Sequence, residues 1–207
     1  MPKDREQTRA NILRALGRLL AHSGFREVGV NAVAREAGVD KVLIYRYFGG
    51  LPELIHAFAE DQAYWPVLAD IAGESGKSHT EANDPARAKQ MLLAFGHALR
   101  KRPLTQEIMR WELLERNALT DALARHREEQ GEKLFQSLDK LTGIDLRAIG
   151  SLLAAGLTYL TLRAKTVDLY NGLQLNSEKD WARIEEAVSF LVDAAIRMSE
   201  TAGSDRK

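Results

Sequence analysis

Four side chains able to hold a polyanion fall within seven residues. They are Lys41, Tyr45, Arg46 and Tyr47, in the stretch GVDKVLIYRYF at 38–48. Val42, Leu43, Ile44 and Phe48 are interleaved with them. A buried helix does not accept two cations and two phenols. A solvated helix does not call for so many large apolar groups. A surface laid against DNA accepts both, because cations meet phosphates or guanine edges and apolar groups meet thymine methyls.

Catalytic chemistry finds far less support. The chain has no Cys, so disulfides, thiolate metal sites and cysteine nucleophiles are excluded. Glu112, Glu115 and His126 are the nearest approach to a metal-ligand set. Their spacing gives neither HExxH nor a paired ExxH. There is no GxSxG elbow and no phosphate-binding glycine loop. Charge on amphipathic helices accounts for these clusters, so no enzyme activity, catalytic residue, metal or cofactor is expected.

The elements that must position the basic stretch are nearly all helical. The chain has 207 residues, 45% apolar and 28% charged, enough for one large or two small domains. Residues 1–50 hold nine Lys/Arg against five Asp/Glu, a net of +4, and the remainder holds 20 against 24, a net of −4. Only the first end is suited to a polyanion. No apolar run reaches the length of a membrane span, and the N-terminus lacks the apolar core of a secretory signal. A cytoplasmic protein without membrane contact is expected.

Ile12, Leu13, Leu16, Leu19 and Leu20 recur at helical spacing and predict a first helix at about 5–22, stopped by Gly24. A second follows at about 30–36. After the turn AGVD, Asp40 caps a third at about 41–47. Pro52 opens a fourth, expected to run to about 71. Residues 72–84 are Gly-, Ser- and Asn-rich and read as a loop. Helices are expected at about 85–101, 104–117, 119–141, 145–171 and 178–199. No strand-like alternation persists. The fold class is all-α with about nine helices.

Two short helices joined by a tight turn are a helix-turn-helix, whose second helix enters the DNA major groove. GFREVGVNAVAREAGVDKVLIYRYFGGLPELI resembles the N-terminal domain of TetR-family transcriptional regulators. Gly24, Phe25, Val33, Ala34, Ala37, Gly38, Val39, Tyr45, Tyr47, Phe48 and Leu54 stand in register with that pattern. The resemblance implies a head at 6–66, with its helix-turn-helix at about 29–48, and a ligand-binding and dimerisation domain at 67–200. It implies DNA contacts at Lys41, Val42, Leu43, Tyr45, Arg46 and Tyr47. Three positions depart from the family. Val28-Gly29 replaces a Thr/Ser pair, Val42 stands where Gly is frequent, and Leu51 replaces a Lys.

The resemblance also implies a homodimer on double-stranded operator DNA. The eighth and ninth helices carry apolar stripes broad enough for a core and a partner. Leu153, Gly156, Leu157, Val188, Leu191, Val192 and Ala195 are the expected interface. Trp65, Met91, Phe95, His97, Met109, Trp111, Tyr159 and Arg163 are the candidates for binding a small-molecule effector. The reading is a repressor released by that effector. An activator, or a ligand-independent DNA-binding protein of the same fold, is the alternative.

Overall fold

The structure, a computed structural model, describes residues 2–61, 64–65, 85–136 and 145–204. Nine helices and one small hairpin are formed among them. The chain divides into two compact units, one of residues 1–65 with 102–129, the other of 66–101 with 130–207. The first unit thus takes in a later segment as well as the N-terminal helices.

In the first unit, α1 (Pro2–Ser23) lays Ile12, Leu13, Leu16 and Leu20 into the core. α1 packs on α2 (Val30–Ala37) and α4 (Leu51–Ala59), and α3 (Lys41–Phe48) packs on both of these; Val33, Ala34 and Ala37 of α2, Ile44 of α3, and Leu54, Ile55 and Phe58 of α4 are all buried. Phe25 is buried with them. Burying a side chain of this size stabilises by about 1.5–3 kcal/mol, so this set is the main source of the unit's stability. α6 (Pro103–Glu112) also packs on α1. The two approach at Gly17, where an added Cβ would lie 3.0 Å from Leu104 Cδ2 and 3.1 Å from Phe58 Cε2. α7 (Ala118–Gln136) follows, and its Leu123 is fully buried.

The expectation that α4 runs to about 71 is corrected. α4 ends at Ala59. The Tyr64 amide then donates to the Asp61 carbonyl at 2.9 Å in a turn that buries Tyr64. Pro66 disfavours helical backbone at the residue before it. Residues 66–71 and the loop expected at 72–84 lie outside the described residues.

In the second unit, α5 (Pro85–Arg100), α8 (Leu146–Arg163) and α9 (Glu178–Ser204) share a core of Leu92, Leu157, Trp181, Ile184, Val188 and Val192. Lys89 Nζ bridges α5 to Asp193 of α9 at 2.8 Å. α8 stops at Arg163, not near 171 as the sequence suggests. The residues beyond it form an antiparallel hairpin of β1 (Leu169–Tyr170) and β2 (Leu173–Gln174). Its turn is Asn171-Gly172, with φ of 48° and 82°. Asn-Gly is the favoured pair for a two-residue hairpin turn that needs positive φ at both positions. Trp181 Nε1 donates to the Leu175 carbonyl at 2.8 Å and holds the hairpin's exit on α9. Among the described residues no helix is long and apolar enough to cross a membrane.

Candidate nucleic-acid interface

The turn between α2 and α3 is built by glycine and aspartate. Gly38 adopts φ 65°, which L side chains rarely take. The Gly38 amide donates to Arg35 O and the Val39 amide to Ala34 O, which closes the last turn of α2. Asn11 Nδ2 donates to Ala37 O at 2.8 Å and clasps this turn to α1. The Arg18–Glu36 pair at 2.7 Å adds a second tie. Asp40 then starts α3, its carboxylate accepting from the Val42 amide at 2.8 Å. At the other end of the motif, Gly29 caps α2 without a side-chain hydrogen bond.

These fixtures give α3 two faces. Ile44 is fully buried. Lys41, Val42, Tyr45 and Arg46 are exposed, Val42 at 61% and Tyr45 at 54%. Leu43, Tyr47 and Phe48 are half-buried between the faces. The Arg5 guanidinium lies 5.7 Å from the Tyr47 ring centroid and that of Arg9 5.1 Å from Phe48. Of the six side chains expected on DNA, four thus share one exposed face, while Leu43 and Tyr47 stand at its border. Arg5 and Arg9 were not among them. Their signal was the positive excess of residues 1–50; the sequence does not show that α1 places them over α3's aromatic rings. Such an arrangement offers cations and phenols to phosphates, with an exposed valine among them for base edges.

The effector candidates divide between the two units. In the first, Trp65 is buried beneath Arg127, whose guanidinium lies 5.5 Å from its ring. Trp111 donates from Nε1 to Ala21 O at 3.3 Å, and Met109 is half-buried. In the second, Met91 is buried with Phe95 packed against it. His97 Nε2 meets Glu185 Oε1 at 2.6 Å. Exposed Tyr159 sits edge-on to Tyr170, ring centroids 5.7 Å apart. Arg163 is half-buried, and its Nε is buried without a hydrogen-bond partner among the described residues.

One polar cluster joins Glu112 to partners that the sequence does not connect with it. Arg127 Nη1 donates to Tyr64 Oη at 3.0 Å and to Glu112 Oε1 at 2.9 Å. Thr105 Oγ1 donates to the Tyr64 carbonyl. Burial pushes the Glu112 carboxyl above the usual carboxylate range, against the opposing pull of Arg127. Burial likewise raises the Tyr64 phenol and keeps it neutral. Glu115 pairs with Arg26 at 3.6 Å. The acidic residues of this stretch are therefore engaged by arginines, and among the described residues no three His, Cys, Asp or Glu side chains converge on a metal position.

Of the expected interface, Leu157, Val188 and Val192 face the second unit's own core and have almost no surface for a partner. Leu153 and Ala195 are half-buried. Gly156 and Leu191 are exposed beside a groove between α8 and α9 that Leu152, Leu160, Leu173 and Ala187 also line. Leu152, Phe190 and Leu191 give these two helices an exposed apolar face.

Residues 12–58 match the family model of bacterial regulatory proteins, tetR family. The fold is similar to a TetR family transcription regulator from Marinobacter aquaeolei VT8, with a TM-score of 0.65 at 16% identity over 94% of this chain and 98% of that one. It is also similar to NalD, the secondary repressor of the MexAB-OprM multidrug efflux pump in Pseudomonas aeruginosa, with a TM-score of 0.64 at 18% identity over 89% and 95%. A putative TetR-family regulator from Vibrio parahaemolyticus gives 0.56 at 24% identity over 90% and 97%. No curated protein matches the chain in sequence.

Proposed function

We propose, from the premise that residues 12–58 are a helix-turn-helix head of the tetR family of bacterial regulatory proteins, that this chain is a cytoplasmic, effector-responsive transcriptional repressor that binds a palindromic operator as a homodimer. The observation that carries the reading is the two-faced α3. Its exposed face holds Lys41, Val42, Tyr45 and Arg46, while Ile44 is anchored in the core. A helix so short covers only a few base pairs. Two copies reading half-sites about 34 Å apart supply the missing affinity.

The dimer is supported by the apolar exterior of α8 and α9, where Leu152 and Leu191 are open to a partner. An effector works by binding one arrangement of the dimer better than another. If the favoured arrangement changes the separation of the two α3 helices, both no longer fit one groove face. A coupling of about 1–3 kcal/mol then releases DNA by roughly 5–150-fold. Trp65, Met91, Phe95, His97, Met109, Trp111, Tyr159 and Arg163 remain the residues proposed for effector contact.

The test is binding of the purified protein to duplexes selected from a random pool, with a salt titration and a scrambled competitor. The reading requires enrichment of a palindromic sequence, two protomers per site, and affinity that falls steeply with salt. Sequence-blind binding refutes it. A small-molecule screen for release from the selected duplex then tests the effector.

A further inference from the structure

The exposed face of α3 holds one residue that no phosphate or hydrogen-bonding base edge can use. Val42 is the second residue of the helix, and it is 61% exposed. Its amide is already taken by the Asp40 carboxylate at 2.8 Å, and its side chain has no polar atom. Valine in a helix keeps one strongly preferred rotamer, so its methyl groups point in a set direction. Tyr45 stands three residues on, on the same face, and is also exposed. Ile44 is held in the core, and Arg5 and Arg9 lie over Tyr47 and Phe48. The helix is therefore not free to roll and turn Val42 away.

The N-terminal residues of a recognition helix are the ones that meet base edges. A base donor or acceptor pressed against Val42 would lose water and gain no partner, which is costly. In the major groove guanine shows two acceptors, adenine an acceptor and a donor, and cytosine a donor. Thymine alone adds a methyl group. We propose that each operator half-site carries a thymine whose C5-methyl group seats against Val42, so that apolar contact and not a hydrogen bond selects that base pair. This rests on the reading of the chain as an operator-binding regulator.

The duplex selected from the random pool by this 207-residue chain is the probe. Each thymine is replaced in turn by deoxyuridine, which keeps the pairing and the O4 acceptor and deletes only the methyl. One thymine in each half-site is expected to respond with about four-fold weaker binding, the worth of one buried methyl group. In Val42→Ala that response shrinks below about two-fold, since its partner methyls are gone. Alanine is favoured in helices, so this variant keeps α3. Val42→Ile keeps the response. Lys41→Ala binds more weakly but also keeps it, because its contribution is charge. Sequence-specific binding in which no deoxyuridine penalty depends on residue 42 overturns this inference and leaves the regulator reading standing. A pool in which no sequence is enriched overturns both.

Discussion

The indole of Trp111 closes on the Gly24 backbone: a Cβ added to Gly24 would come 2.8 Å from Cε3 and 2.9 Å from Cδ2 of that ring. Gly24 also adopts φ 69°, and Trp111 Nε1 donates to Ala21 O, one turn before it. Glycine is thus required twice, once by the backbone and once by the ring that closes over it. The end of α1 and the end of α6 are joined at this point.

Gly24→Ala is expected to cost about 2 kcal/mol or more in urea unfolding, from left-handed backbone strain plus overpacking. In a Trp111→Ala background the same change costs about 1 kcal/mol, the backbone part alone. An equal cost in both backgrounds would show that the indole is not what excludes a side chain at position 24.

The buried Arg127–Glu112 pair makes an asymmetric prediction. Arg127→Met leaves the Glu112 carboxylate buried without its cation and destabilises by about 3–5 kcal/mol at neutral pH. Adding Glu112→Leu to that variant recovers much of the loss, as a double-mutant cycle reads. The pH dependence has a sign. The Glu112 carboxyl has a raised pKa in the folded chain because it is buried. Its stabilising proton is fully held below the ordinary carboxylate value and is lost as pH rises through the raised one. The melting temperature of the wild type relative to Glu112→Gln should therefore fall over that window. A difference that rises with pH would reverse the assignment.

Lys41→Ala separates two modes of DNA contact. If the ammonium holds a phosphate, affinity for all sequences drops, and the slope of log K against log salt shallows by about 0.9. If it reads a guanine edge, discrimination at one base pair relaxes by about 1–3 kcal/mol. Equilibrium binding at several salt concentrations distinguishes them, and no change in either quantity removes Lys41 from the interface.

Leu152→Glu with Leu191→Glu places two carboxylates on exposed leucines of α8 and α9. The expected product is a folded monomer by light scattering, with operator binding weakened to that of a single head. Val192 is unsuitable for this test because it is buried in the unit's own core. A variant that stays dimeric would place the interface elsewhere.

Periodicity, glycines and caps were enough to locate most of the helices, because these signals act within four residues of each other. Gly24, Gly38, Asp40 and Pro52 each sit where their local backbone preference requires. The hairpin was not read: Asn171-Gly172 marks its turn, but the apolar run before it extends the helical pattern across the first strand. The exposed composition of α3 was likewise readable from eight residues.

What the sequence by itself determined about this protein is its all-α layout and the chemistry of its α3 face. Both follow from local backbone preference and from side chains that keep their character when solvated. Tertiary structure alone decided that Leu157, Val188 and Val192 turn inward while Leu152 and Leu191 stay open. It alone joined Tyr64, Glu112 and Arg127, and laid Trp111 on Gly24. Those partners lie up to 87 residues apart in the chain, between positions 24 and 111, and a stripe of leucines has no local mark for which face meets the core. Such choices depend on the close fit of elements that meet only once the chain has folded.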